Sequence, residues 1–128
     1  MPTVMVVKVV DASAVAALLF SEPEAEIVAS ALDGAELVAP RLLSFELANV
    51  CLMKCRRHPD LRDTLLAAFQ LRRQLGIAEI AVDHGDVLEL ALKSGLTAYD
   101  ASYLLLARKL GAELVTLDEA LTRAATAK

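Results

Sequence analysis

The first strand and the residue after it constrain the fold most strongly. Val4 to Val10 is a nearly continuous run of apolar, mostly β-branched residues. Such a run predicts a strand buried on both faces, and strands of that kind occur almost only in parallel sheets that helices cover. Asp11 follows directly, so the sequence predicts a carboxylate at the carboxyl end of this strand.

The rest of the chain alternates helical and extended patterns. Ser21-Glu22-Pro23-Glu24 has the form of a capping box that opens a helix to Leu32, and Pro59 begins a predicted helix that ends at Leu75. The other predicted elements are strands over 37–39, 77–82 and 114–117, and helices from Asp11 or Ser13 to Phe20, over 42–57 and 84–94, from Thr97 to Leu110, and after Asp118.

This alternation predicts the architecture. Short apolar strands separated by helices imply parallel βαβ crossovers. We therefore predict an α/β fold, with three α/β/α layers and a central, mainly parallel sheet of four to five strands. A chain of 128 residues that is 56% hydrophobic supplies one substantial core, so residues 1–128 are expected to form a single domain.

Charge is distributed unevenly along the chain. The net charge is −4, which argues against a protein that simply coats nucleic acid. The window from Lys54 to Arg73 nevertheless carries +4, so the remainder carries −8. A basic segment on an acidic body is able to steer a polyanion, although a solvated pair of helix faces explains the same pattern.

Four acids are placed where chemistry collects in α/β sheets. Asp11 and Asp118 follow the first and last strands, and Asp100 lies in the first turn of the helix before the last strand. Glu46 interrupts an apolar helix on which Asn49 lies one turn later. Each acid also has an ordinary explanation, such as a helix cap or a solvated side chain, and Asp83 is expected to be a cap alone.

Convergence of these acids would require a cation. Two unit charges about 5 Å apart repel by about 3 kcal/mol at an effective dielectric of 20, and a divalent ion reverses that energy. Ligation by oxygen alone selects a hard ion, so Mg²⁺ or Mn²⁺ is expected. Such an ion on carboxylates suits phosphodiester hydrolysis. The Ser13 hydroxyl either contributes to this chemistry or belongs to an ordinary helix start.

The compartment follows from the cysteines and the amino-terminal residues. Cys51 and Cys55 lie four residues apart, which is neither a redox nor a zinc spacing. The first ten residues contain no basic segment and no cleavage signal. No apolar run approaches the roughly 20 residues that span a bilayer. We expect a cytoplasmic protein without a membrane segment.

Four segments resemble the PIN-domain ribonucleases, in particular VapC toxins of prokaryotic toxin–antitoxin pairs. They are Val-Val-Asp-Ala-Ser at 9–13, Ser-Phe-Glu-Leu-Ala-Asn-Val at 44–50, Leu-Thr-Ala-Tyr-Asp-Ala-Ser-Tyr at 96–103 and Leu-Val-Thr-Leu-Asp at 114–118. Their order and spacing cover nearly the whole chain.

The resemblance implies a Mg²⁺- or Mn²⁺-dependent endoribonuclease that forms a homodimer and is inhibited by a VapB-like antitoxin. It implies that the metal and catalytic residues are Asp11, Glu46, Asp100 and Asp118. It further implies that Ser13, Thr116 and Asn49 support them, and that the basic segment, with Arg56, Arg57, Arg72 and Arg73, contacts RNA.

Two alternatives involve no RNA turnover. One is a receiver-like signalling module, whose design needs a pair of acids after the first strand and a lysine after the last. Here Ala12 follows Asp11, and the last strand offers no lysine. The other is a PIN-like fold that acts only as a binding module.

Overall fold

The computed structural model describes residues 5–127. The strands are β1 (Val6–Val10), β2 (Ala35–Pro40), β3 (Ala78–Ile80) and β4 (Glu113–Val115). The helices are α1 (Ala12–Leu19), α2 (Ala25–Leu32), α3 (Leu43–Arg57), α4 (Arg62–Gln70), α5 (His84–Ser94), α6 (Ala98–Leu110) and α7 (Glu119–Thr126). Short 3-10 turns over Pro59–Leu61 and Leu71–Leu75 flank α4. The predicted strand start at Val4 lies outside the described residues.

The strands form one parallel sheet in the order β3-β2-β1-β4. The chain moves from β1 to β2 to β3 in one direction and then crosses back beyond β1 to β4. Because parallel crossovers are right-handed, the helices before β3 cover one face and those between β3 and β4 cover the other. The helix contacts agree, since α1 packs on α2 and α3, whereas α6 packs on α5 and α7. This confirms the predicted three-layer α/β/α fold.

The core lies along β1 and the helices that cover it. Val9 and Val10 are fully buried, as expected for a strand covered on both faces. Helix α6 packs directly on β1, β2 and β4, which explains why its sequence is so apolar. The largest fully buried side chains are Tyr103, Leu47, Leu121, Val9, Val10, Val15, Val28 and Pro40.

The predicted capping box at Ser21 is wrong. Ser21 adopts a left-handed conformation with φ 51°, and the amide of Glu22 donates to the carbonyl of Ala17 over 2.9 Å. This arrangement ends α1, because a left-handed residue after a helix lets the next amide bond back to the last turn. Helix α2 therefore begins later, at Ala25, with no side-chain cap from Glu24.

The single helix predicted from Pro59 to Leu75 is divided into two 3-10 turns and α4. At the end of α4, the Arg72 guanidinium packs 4.0 Å from the centre of the Phe69 ring and donates to the Phe69 carbonyl over 3.3 Å. These contacts hold the segment after α4 in a 3-10 turn. Gly76, with φ 65°, ends this turn. Strands β3 and β4 are each three residues long, shorter than predicted.

None of the helices described between residues 5 and 127 is long and apolar enough to cross a membrane.

Candidate active site

The strand order determines where a site is expected. The chain adds β2 and β3 on one side of β1 and then adds β4 on the other side, so the direction of the connections changes between β1 and β4. Open parallel sheets bind ligands in the crevice at such a switch point, beyond the carboxyl ends of the strands. Asp11 follows β1 there, and Thr116 and Asp118 follow β4. Two distant parts of the sequence therefore meet at one edge of the sheet.

Asp11 is buried and held by three hydrogen bonds. Its side chain is only 4% exposed. Oδ1 accepts from the Ser13 hydroxyl at 2.7 Å and from the Ala14 amide at 3.0 Å, and Oδ2 accepts from the Thr116 hydroxyl at 2.5 Å. The bond to Ala14 caps α1, as predicted. The two hydroxyl bonds fix the carboxylate beyond what a cap requires.

The loop after β4 completes this network. The Ser13 hydroxyl accepts from the Leu117 amide at 2.9 Å, and the Thr116 hydroxyl accepts from the Asp118 amide at 3.0 Å. Asp118 Oδ1 in turn accepts from the Leu121 amide at 2.8 Å and so caps α7. The two supporting hydroxyls therefore hold the start of α1 and the loop before α7 in fixed relation.

The other two acids approach from helix starts. Asp100 lies in the first turn of α6, where its amide donates to the Thr97 hydroxyl at 3.1 Å. Glu46 lies in the first turn of α3, and its Oε1 accepts from the Tyr103 hydroxyl at 2.6 Å. Both carboxylates are half-buried. Helix α6 therefore supplies one acid directly and orients another through Tyr103.

Repulsion between these carboxylates contributes to the raised pKa values of three of them. The pKa of Asp11 is raised, chiefly by burial, with a smaller contribution from the charge of Asp118. The pKa of Asp100 is raised by burial and by the charges of Asp118 and Asp11. The pKa of Glu46 is raised by burial and by the charges of Asp100 and Asp11. Folding thus brings Asp11, Asp100 and Asp118 within electrostatic reach of one another, and Glu46 within reach of Asp11 and Asp100.

The donor set fits a hard divalent cation in chemistry and charge. Every candidate ligand is a carboxylate oxygen, and the acids repel one another as they stand. Between residues 5 and 127, no three His, Cys, Asp or Glu side chains form a group close enough to hold a metal ion. The acids therefore share one region without forming a closed ligand cage.

Asn49 lies beside Glu46, as the helical spacing predicts. Both line a cavity of about 500 Å³, and Asn49 itself is exposed. Ala12, the residue after Asp11, also lines this cavity. The other lining residues are Leu42, Phe45, Val50 and Tyr99.

The four arginines of the basic segment occupy two separate places. Arg56 and Arg57 are exposed in the last turn of α3. Arg72 and Arg73 border a cavity that the first residues of α3 also line. The pairs therefore lie near opposite ends of a helix of 15 residues, which is about 22 Å long.

The role of Tyr103 was not predicted, although the residue lies within the segment 96–103. It is 1% exposed, and burial together with its hydrogen bond to Glu46 raises the pKa of its hydroxyl. The hydroxyl therefore stays protonated and donates to the carboxylate. The available signal was spacing, since Tyr103 lies three residues after Asp100 on the same side of α6.

Known proteins share this chain's sequence pattern and fold. A family model described as the PIN domain matches residues 8–127. The chain belongs to the PIN-domain family. This PIN domain is 37% identical to Ribonuclease VapC3 of Pyrobaculum aerophilum over 118 residues, which cover 88% of this chain and 90% of that protein.

A solved structure shares the fold. The crystal structure of PAE2754 from Pyrobaculum aerophilum superposes with a TM-score of 0.77 and 24% identity, covering 94% of this chain and 86% of that one. The predicted PIN-like fold is confirmed. The receiver-like alternative is wrong, because the family match spans nearly the whole chain.

Proposed function

We propose that this PIN domain is a divalent-metal-dependent endoribonuclease, the toxin of a VapC-type toxin–antitoxin pair. The extended likeness to a protein named Ribonuclease VapC3 supports the activity. The observation that carries the proposal is the environment of the Asp11 carboxylate. This carboxylate is buried, accepts hydrogen bonds from two hydroxyls and is repelled by the charge of Asp118.

We assign the catalytic and metal-binding roles to the four acids. Asp11 is the most buried of the four, and we assign it the central position among the metal-binding residues. Ser13 and Thr116 orient it by donating hydrogen bonds, and Asn49 lies beside the bound substrate. The proposed ligands of Mg²⁺ or Mn²⁺ are Asp11, Glu46, Asp100 and Asp118.

The chain's own residues prepare the site for a polyanion. A divalent cation held by the four carboxylates would neutralise them and would supply an activated water and charge stabilisation for the phosphoryl oxygens. The Tyr103 hydroxyl keeps Glu46 in one orientation, and the Ser13 and Thr116 hydroxyls do the same for Asp11. These donors fix the carboxylates before substrate arrives, which reduces the reorganisation that binding requires.

We also propose partners and a location. The substrate is RNA, and a VapB-like antitoxin inhibits the enzyme. Residues 1–128 act as one PIN domain, which forms a homodimer in the cytoplasm. The apolar side chains left exposed on α3 and α4, including Leu52, Met53 and Leu66, supply surface for association.

The basic segment is proposed to contact RNA through Arg56, Arg57, Arg72 and Arg73. Replacing each pair by glutamine separates the two places they occupy. If a pair binds phosphates, its replacement weakens RNA binding and reduces the slope of log affinity against log salt by about 0.7 for each phosphate that is no longer neutralised. A pair whose replacement leaves the slope unchanged does not bind RNA.

Cleavage of end-labelled RNA by the purified protein tests the activity. Wild type is expected to cut in Mg²⁺ or Mn²⁺ and to stop in excess chelator. Asp11→Asn preserves shape but removes the charge, and we expect it to abolish cleavage. Asp83→Asn is the matched control, because Asp83 also follows a strand and caps a helix yet is exposed.

The outcomes separate catalysis from binding. Loss of cleavage in Asp11→Asn alone, with an unchanged circular dichroism spectrum, supports the proposed site. RNA binding without cleavage by wild type in every metal would favour a PIN domain that acts only as a binding module. Equal activity of wild type and Asp11→Asn would remove Asp11 from the mechanism.

A further inference from the structure

Two aromatic side chains are largely exposed beside the proposed site. Phe45 is 82% exposed and Tyr99 is 66% exposed. The chain has three phenylalanines, two tyrosines and no tryptophan, so these rings are a large share of its aromatic surface. The remaining aromatic residues, Phe20, Phe69 and Tyr103, are buried or half-buried.

Both rings are tied to the acids by sequence and by space. Phe45 directly precedes Glu46 in the first turn of α3, and Tyr99 directly precedes Asp100 in the first turn of α6. The two rings line the same cavity of about 500 Å³ as Glu46 and Asn49. Tyr99 also borders a neighbouring, mostly apolar cavity of about 530 Å³.

The chemistry of this cavity matches an unpaired nucleobase. Its lining residues combine two aromatic side chains with an acid, Glu46, and an amide, Asn49. A base likewise combines a flat π face with hydrogen-bonding edges. Proteins that hold single strands stack successive bases on exposed aromatic rings, and the stacking is tolerant of sequence because every base has such a face.

We infer that Phe45 and Tyr99 are stacking platforms for the unpaired bases that flank the cleaved bond of single-stranded RNA. This inference rests on the proposed ribonuclease function. It adds that substrate is positioned by its bases as well as by its phosphates. Paired RNA keeps its bases stacked within the helix, so its bases cannot stack on these rings.

The test compares an intact oligoribonucleotide that the enzyme cleaves with versions lacking one base next to the cleaved bond. In wild type, an abasic nucleotide on either side is expected to lower kcat/KM about tenfold, which corresponds to the loss of one stacked base. Phe45→Leu and Tyr99→Leu retain apolar area but lose the flat ring. Each variant is expected to lower kcat/KM for the intact substrate by a similar factor.

The decisive measurement is the combination of the two changes. If a ring stacks on a given base, the variant shows no further penalty from the abasic site, because both changes remove the same stacking interaction. Phe45→Tyr and Tyr99→Phe keep a ring and should therefore restore the abasic penalty that the leucine variants lack. Leu92→Ala removes exposed apolar surface on α5, outside both cavities, and should leave the abasic penalty at full size.

The opposing outcomes are distinct. An abasic penalty that persists unchanged in both leucine variants would overturn the stacking role. Loss of activity on intact and abasic substrates alike, with a change in molar mass by light scattering, would assign the rings to an interface between two copies and overturn it as well. Failure of wild type to cleave the intact oligonucleotide refutes the proposed function instead, so the two failures are not confused.

Discussion

The ends of β1 and β3 present the same local motif with different surroundings. Asp11 follows β1, Asp83 follows β3, and each accepts a hydrogen bond from the amide three residues later to cap a helix. Asp11 is buried, receives two hydroxyl bonds and lies within reach of other acids. Asp83 is exposed beside Gly85, at an edge strand of three residues.

This difference separates a cap from a site. Capping stabilises a helix by about 1 kcal/mol wherever it occurs and needs no burial. Burying a carboxylate among other carboxylates costs stability, and such an arrangement is typical of functional sites, where it perturbs pKa values. The buried, destabilising arrangement occurs at Asp11 because the ends of β1 and β4 converge at the switch point between them.

After the loss of cleavage expected for Asp11→Asn, the next largest effect distinguishes two acids that lie in the first turns of helices. Asp100→Asn should lower kcat for RNA cleavage about 10²–10³-fold, as expected when a charged group of a preorganised site is lost. Asp86→Asn is its control, because Asp86 lies in the first turn of α5 and pairs with Lys109 at 3.0 Å on the surface. Equal loss in both variants would contradict the distinction, and steady-state kinetics with end-labelled RNA measures it.

A smaller effect is expected from the residue that orients Glu46. Tyr103→Phe removes the hydroxyl that donates to Glu46, and cleavage should fall about tenfold, as for partners that position metal ligands. The free energy of unfolding should also fall by about 1 kcal/mol. Tyr99→Phe is the exposed control and should match wild type in both assays. Wild-type kcat in Tyr103→Phe would show that this hydrogen bond is structural only.

Metal binding should stabilise one strand end and leave the other unaffected. Millimolar Mg²⁺ or Mn²⁺ is expected to raise Tm by about 4 °C, the shift that about 1 kcal/mol of binding produces in a domain of this size. The shift should disappear in Asp11→Asn, where a repelling charge and a proposed ligand are lost, and persist in Asp83→Asn. A shift of equal size in both variants would place the metal elsewhere, and scanning calorimetry measures it.

The smallest effect is on the pH dependence of stability. Because the pKa of Asp11 is raised in the folded state above its ordinary value of 3.8, the folded protein binds more protons than the unfolded one just above that pH. The contribution of Asp11 to the stability of the metal-free protein should therefore increase as pH falls from neutral through the raised pKa of the folded carboxyl towards 3.8.

Urea unfolding at several pH values measures this dependence. Asp11→Asn should flatten it, because the variant removes the raised carboxyl, and should be more stable than wild type at neutral pH. Asp83→Asn provides the comparison at an exposed cap. A pH dependence that is the same in wild type and Asp11→Asn would show that the burial of Asp11 is compensated.

Local signals predicted much of this molecule. The valine run gave β1 its burial on both faces, and the caps at Asp11, Asp83 and Asp118 follow from the residues that begin each helix. The prediction from the Ser21 motif was wrong because Ser21 adopts the left-handed conformation that terminates α1. In that conformation it does not cap α2. A capping signal is local, but two adjacent helices compete for it.

The candidate site was predicted only in part for a related reason. Its acids follow strand and helix patterns, so their convergence at one sheet edge could be argued from topology. The support of Glu46 by Tyr103 joins residues 57 positions apart, and no local pattern encodes such an interaction. The division of the basic segment depends on where the turns around α4 bend the chain, which composition does not reveal.

The hydroxyl network around Asp11 has a consequence for biosynthesis. Thr116 and the loop up to Asp118 reach Asp11 across 105 residues of sequence, so they are translated long after it. While that stretch is still inside the ribosomal exit tunnel, the emerged polypeptide has an incomplete acidic centre. A nascent chain at that stage lacks the complete acidic centre on which the proposed RNA cleavage depends, until the loop after β4 has emerged.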